Sequence, residues 1–130
     1  MSELAKISHQ TLQQRMVALM VERFPKCFFP INQPPKPLKV NIKHDLISAF
    51  REELKDASFR KDFWIFFRWY LSRKAYHNAI IGENAMRVDL EGNEVMAVKN
   101  GHKVYAQQQL DSILEGEKQR KTQTKQRKLK

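Results

Sequence analysis

Arg60, Lys61, Arg68, Arg73, Lys74 and Arg87 concentrate around one aromatic run, Phe59 to Leu71, and the segment it leads into. Guanidinium and ammonium groups interleaved with rings are the side chains that hold phosphates. Between Lys36 and Arg87 the chain carries eleven Lys and Arg against six Asp and Glu. Charges on helices are ordinarily just the solvated face, but their gathering around a single aromatic helix argues for more than that. A second feature points the same way. The stretch Lys36-Pro-Leu-Lys39 feeds the start of a predicted helix, where free backbone N–H groups and the positive end of the dipole favour an anion.

Other chemistry is scarce. His9, His44, His77 and His102 lie far apart and no pair has the i, i+4 spacing of a helical metal site, so all four read as structural and no metal is expected. Cys27 is the single cysteine, which excludes an internal disulfide and a zinc knuckle; beside Phe28 it reads as a small buried apolar residue. There is no Gly-rich phosphate loop, no HExxH and no GxSxG, and four glycines leave little room for a nucleotide fingerprint. No catalytic residue, cofactor or small-molecule substrate is expected, and the chain does not read as an enzyme.

The elements that must position these residues can be read from periodicity. Leu12, Met16, Leu19 and Met20 form a helical stripe, predicting a helix over about 9–23 with Ser8 as N-cap, ended by Pro25. All five prolines fall between Phe24 and Lys39, an irregular connector pinned by Phe24, Phe28 and Phe29. Ile42, Leu46, Ile47, Phe50 and Leu54 predict a second helix over about 42–55, with Asn41 as N-cap. A third starts after an N-cap at Ser58 and runs to about residue 79. At 100° per residue Phe59, Phe63, Phe66 and Tyr70 share its core side, while Lys61 and Arg68 lie opposite, flanked by Arg60 and Trp64. The period then shortens: Met86 to Leu90 alternates, Glu91-Gly92-Asn93 is a turn with the glycine free to take positive φ, and Val95 to Val98 returns as a strand. A last helix starts near His102.

The 130 residues are enough for one domain with a real core. No stretch approaches the roughly 18 to 20 apolar residues that cross a bilayer, and Met1 to Gln10 lacks a signal-peptide core, so a soluble, cytoplasmic protein without a membrane partner is expected. Of a net charge of +10, residues 118–130 supply seven cations and no acid, leaving 17 basic and 14 acidic residues, a net of +3, in the first 117. That tail reads as a solvated, disordered segment or the frayed end of a helix. The expected layout is an N-terminal extension over 1–8, a domain over 9–117 and a basic tail over 118–130.

The segments Glu22-Arg-Phe-Pro-Lys-Cys-Phe, Lys36-Pro-Leu-Lys-Val-Asn-Ile, Ala75-Tyr-His and Arg87-Val-Asp-Leu-Glu-Gly, in this order, resemble the ProQ/FinO domain of bacterial RNA chaperones over about residues 8–115. The resemblance implies a mainly α, compact domain of four or five helices, with a small β-hairpin between the central and C-terminal helices. It implies binding of structured small RNAs and mRNA 3′ ends, a stem followed by a short single-stranded 3′ tail as at a terminator, in post-transcriptional regulation by protecting or annealing RNA. Lys39, Arg68, Tyr76 and Arg87 resemble the family's RNA-contacting lysine, helix arginine, pocket tyrosine and strand arginine, and Arg60 stands at an often basic place. The family also grips the 3′-terminal nucleotide at a helix N-cap, which corresponds here to Lys39, Val40, Asn41 and Ile42.

Three departures bear on this. Ala75 stands where members often carry arginine, so the charge of Arg73 and Lys74 arrives from elsewhere. Trp64 stands where some relatives are basic and is expected to pack in the core, with stacking on a base as the alternative. The C-terminal β-domain of larger relatives has no counterpart, which suggests a minimal, monomeric member. Two other readings stay open from the residues alone: a DNA-binding module, and a ribosome- or protein-interaction module tethered by the basic tail.

Overall fold

The computed structural model describes the backbone of residues 11–129 and the side chains of 11–122. The expected N-terminal extension, Ser8 and His9 lie outside the described residues. Five helices and one hairpin follow in order: α1 (Leu12–Arg23), α2 (Ile42–Ala49), a 3-10 turn (Glu53–Lys55), α3 (Ala57–Ser72), α4 (Lys74–Ile81), β1 (Met86–Val88), β2 (Glu94–Ala97) and α5 (Asn100–Leu129). The mainly helical class with a hairpin before the last helix is the one expected from the sequence.

Several boundaries differ, each for a local reason. The cap of α1 is Thr11, three residues later than expected. Its hydroxyl accepts the Gln14 N–H and the Gln14 side chain accepts the Thr11 N–H, a closed capping box. The second helix stops at Ala49, and Leu54 reaches the core through the 3-10 turn, with its N–H on the Phe50 carbonyl at 2.8 Å. Asp56 rather than Ser58 caps α3, accepting the Ser58 N–H at 3.2 Å.

The long third helix is two helices. Arg73 sits in the extended region at φ −70°, ψ 147°, ending α3 and starting α4. Polar groups take over the carbonyls that the break frees: Ser72 Oγ donates to Trp69 O at 2.8 Å and Arg73 Nε to Tyr70 O at 3.4 Å. The last helix begins at Asn100 and continues to Leu129, so the basic segment, read from the sequence as disordered or as the frayed end of a helix, has helical backbone. After Gly116 that segment holds no glycine or proline, and Lys, Arg and Gln are good helix formers.

Phe28, Phe50, Phe63, Phe66, Tyr70, Met20, Leu46 and Cys27 are fully enclosed. The core side of α3 was therefore correctly read, with Phe59 only half-buried. Rings dominate the packing: Phe28 meets Tyr70 edge to face at 5.2 Å, and Phe24 meets Phe50 at 5.9 Å. Each such ring contributes about 2–3 kcal/mol by leaving water. Burial pushes the Cys27 thiol up to about 12, with Asp89 adding to the rise, as befits an apolar filler.

The hairpin is antiparallel, Met86 opposite Ala97 and Arg87 opposite Met96, with a bulge before Val88. Its other edge takes the end of the connector: Val88 donates to Pro37 O at 2.9 Å and accepts from the Lys39 N–H at 2.8 Å. Gly92 turns the hairpin at φ +85°.

Candidate nucleic-acid interface

The connector delivers Leu38 to the centre of a clamp. Its N–H donates to the Tyr76 hydroxyl at 3.0 Å, and its carbonyl accepts from Arg87 Nη1 at 2.7 Å. Tyr76 and Arg87 are both buried. Burial is the main cause that pushes the Tyr76 phenol above its ordinary range, so the ring stays neutral. The second guanidinium nitrogen, Nη2, lies 3.0 Å from His102 Nδ1. Arginine can only donate, so His102 is the acceptor there and carries its proton on Nε2. One strand arginine thus ties the connector to the start of α5.

The clamp fixes where the next four residues go. Lys39 leaves the Val88 edge, Asn41 adopts a left-handed turn at φ 66°, and α2 begins at Ile42. Asn41 occupies the predicted cap position but makes no side-chain capping bond. Its left-handed backbone, which asparagine tolerates, does the turning instead. The Lys39 carbonyl accepts the Ile42 N–H at 3.1 Å and the Asn41 carbonyl accepts the His44 N–H at 3.0 Å. Among the described residues, the amides of Val40, Asn41 and Lys43 have no such partner. That is a short row of free donors at a helix start.

Beside it opens a pocket of about 250 Å³, lined by Lys39, Asn41, Ile42, Tyr76 and Arg87 together with Leu38, Lys43, Phe67 and Leu71. Five residues named from the sequence therefore meet in one place. Val40 is exposed at its edge in the chain. Lys39 is half-exposed and paired with Asp45 at 3.0 Å. Lys43 holds its ammonium 4.6 Å over the Trp64 ring, and Trp64 packs edge-on against Phe63 and Phe67 while staying half-buried.

The remaining cations divide. Arg68 is exposed on α3 about 60° around the helix from Leu71, and Lys61 is exposed on nearly the same line; neither lines the pocket. Arg60 is exposed and spends one donor on Leu54 O at 3.0 Å. Arg73 is outside the pocket lining. Its guanidinium lies 4.3 Å from the Tyr70 ring centre and 5.1 Å from that of Trp69, and burial pulls its pKa down. Lys74 pairs with Glu117 of α5 at 2.8 Å. Both hold helices together at the α3–α4 break. Sequence reading missed Lys43, Phe67, Asp45 and His102; a helical wheel puts Phe67 beside Trp64, but nothing local ties Asp45 to Lys39 or His102 to Arg87.

A larger groove, about 600 Å³, lies between α1 and the connector. Its lining includes Val17, Val21 and Pro30, and its one charged member is Glu22, so it does not suit a phosphate. Among the described residues no group of His, Cys, Asp and Glu is placed to hold a metal, and no helix is long and apolar enough to cross a membrane. His77 is buried, which lowers its pKa, and His44 is exposed.

Comparison with known proteins matches residues 10–126 to the ProQ/FINO family. The chain is 35% identical over 101 residues to the RNA chaperone ProQ of Alteromonas mediterranea, covering 78% of this chain and 44% of that protein. It is 33% identical over 110 residues to the RNA chaperone ProQ of Idiomarina loihiensis, covering 85% and 50%. The chain spans about half the length of these curated relatives. Among solved structures it is similar to a ProQ homolog from Legionella pneumophila, with a TM-score of 0.61, 30% identity, and 79% and 84% of the two chains covered. It also shares its fold with a FinO-like RNA chaperone from Neisseria meningitidis, at a TM-score of 0.53, 21% identity, and 83% and 82% coverage. The matched span takes in α1 to α4, the hairpin, all but the last turn of α5 and the whole of the pocket: the chain belongs to the ProQ/FINO family.

Proposed function

We propose that this protein is a non-enzymatic RNA chaperone that binds structured RNAs ending in a stem and a short single-stranded 3′ tail, and acts by protecting or annealing them. The observation that carries this reading is the convergence of Lys39, Tyr76, Arg87 and the free amides before α2 on one pocket of about 250 Å³. The 3′-terminal nucleotide enters this pocket. The Val40, Asn41 and Lys43 amides bind its phosphate or terminal hydroxyls, and Lys39 supplies the countercharge. Arg68, Lys61 and Arg60 then lie along the stem, where they meet phosphates and 2′-hydroxyls, because the major groove of A-form RNA is too narrow for side chains. The names of the relatives, RNA chaperones in each case, support the same class of partner.

The test is fluorescence anisotropy with a terminator-like hairpin bearing a four-nucleotide 3′ tail, the same hairpin made blunt, and a DNA duplex of equal length as competitor. The tailed RNA should bind tightest and the DNA should compete poorly. Lys39→Ala and Arg68→Ala should each weaken binding of the tailed RNA, Lys39→Ala by roughly tenfold or more, the scale of one hydrogen bond to a charged group. Preference for the DNA duplex, or unchanged binding by both variants, would overturn the reading.

A further inference from the structure

We propose a second subsite on the face of α4 adjoining that of the 3′ pocket, an uncharged cleft that takes one unpaired nucleobase of the RNA tail; it rests on the RNA-binding reading above and deepens it. The cleft is about 440 Å³, within the size range of small-ligand sites. None of the residues lining it ionises. Its polar groups are three side-chain amides, Asn32, Gln33 and Asn78. Such a wall has no attraction for phosphate, and it offers the paired donors and acceptors that match base edges.

Its apolar lining is small or stiff. Ala75 and Ala79, one turn apart on α4, give a floor of methyl groups, and Pro34 with Pro35 forms the wall on the connector side. Proline fixes its own φ, and the Gln33 N–H is bonded to Pro30 O at 2.9 Å, so this wall is formed before any ligand arrives. Unpaired bases in RNA are recognised through contact with their faces and hydrogen bonds to their edges; here the proline rings would supply the first and the amides the second.

The cleft is also next to the right site. Ala75 and Tyr76 are consecutive on α4, so the helix presents one to the cleft and the other to the 3′ pocket. The connector runs from one to the other as well: Pro35 lines the cleft and Leu38 the pocket, at most about 11 Å of chain apart. A tail whose last nucleotide sits by Lys39 can place an upstream base there.

The test uses the full chain and the tailed hairpin, with the tail either intact or built with abasic sugars at the nucleotides upstream of the last. Asn32, Gln33 and Asn78 are exposed, so a Gln33→Ala, Asn78→Ala double variant should melt like the wild type. It should bind the intact tail about three- to tenfold more weakly, yet match the wild type on the abasic tail. Ala75→Trp, which fills the floor, should give the same pattern; if it disturbs the fold, the amide variant alone decides. Unchanged binding of the intact tail, or an equal loss on both tails, overturns the subsite. If the wild type binds the tailed hairpin and Lys39→Ala weakens it while the amide variant does not, only the subsite falls. If the wild type does not bind the hairpin, the RNA reading falls and the subsite with it.

Discussion

Lys39 holds its charge against Asp45, and a phosphate entering the pocket as proposed would compete with that carboxylate. Both side chains are half-exposed, so the pair itself contributes little stability, about 0–1 kcal/mol. Asp45→Asn should therefore leave the melting temperature nearly unchanged while tightening tailed-hairpin binding a few-fold. In the Lys39→Ala background the same change should gain less, a coupling that a double-mutant cycle reads directly. Arg87 behaves differently. It is buried, and removing it leaves the Leu38 carbonyl without its donor at a cost of about 1–3 kcal/mol. Arg87→Ala should lower the thermal midpoint and RNA affinity together, whereas Lys39→Ala should lower only affinity. Circular-dichroism melts run beside the binding assay separate the two. Sequence reading grouped both residues as RNA contacts; only the fold shows that one is a half-exposed cation paired with Asp45 and the other a clamp on the connector.

The clamp depends on the hairpin, and the hairpin on its turn. Gly92 has φ +85°, and a Cβ there would stand 2.5 Å from the Lys26 Cβ, so Gly92→Ala is both strained and crowded. It should cost about 1–3 kcal/mol or more in denaturant melts. Asp89 closes the same turn, accepting the Glu91 N–H at 3.0 Å and the Asn93 N–H at 2.9 Å, and these bonds hold its pKa below the ordinary carboxylate range. A depressed carboxylate stabilises the fold above its unfolded pKa and loses that contribution as pH falls through the lower, folded one. The stability gap between wild type and Asp89→Ala should thus be full near neutrality and shrink below about pH 4. A constant gap down to pH 2 would contradict the assignment. Elements with strong local signals were legible from the residues: the α3 core stripe, the turn at Gly92 and the hairpin around it, though not its bulge before Val88. The α3–α4 break was not, because Arg73 stacks on rings of the preceding turn and no proline or glycine marks the site. Nor was the meeting of Leu38 with Val88, a pairing fifty residues apart in sequence that only tertiary packing sets.

Across the whole molecule, charge is split between a body with a net of +3 and thirteen residues that hold seven cations and no acid. Of the two forms the sequence allowed for these residues, a disordered segment or the end of a helix, the backbone takes the helical one: α5 runs to Leu129, and Lys74 of α4 pairs with Glu117 just before the cations begin. A helix of this length is about 45 Å long. In the proposed reading, cations of this segment would meet phosphates without reading sequence, and each such contact adds close to one unit to the slope of log affinity against log salt. The pocket at Lys39 is proposed to work by a different rule, selecting a terminal nucleotide by fit and by free amides. Deleting residues 118–130 should accordingly lower affinity for every RNA tested and flatten the salt dependence by up to several units. The ratio of affinities for tailed and blunt hairpins should stay where it was. Were the ratio to collapse with the deletion, end recognition would belong to the arm, and the pocket built by Leu38, Tyr76 and Arg87 would have to serve stability alone.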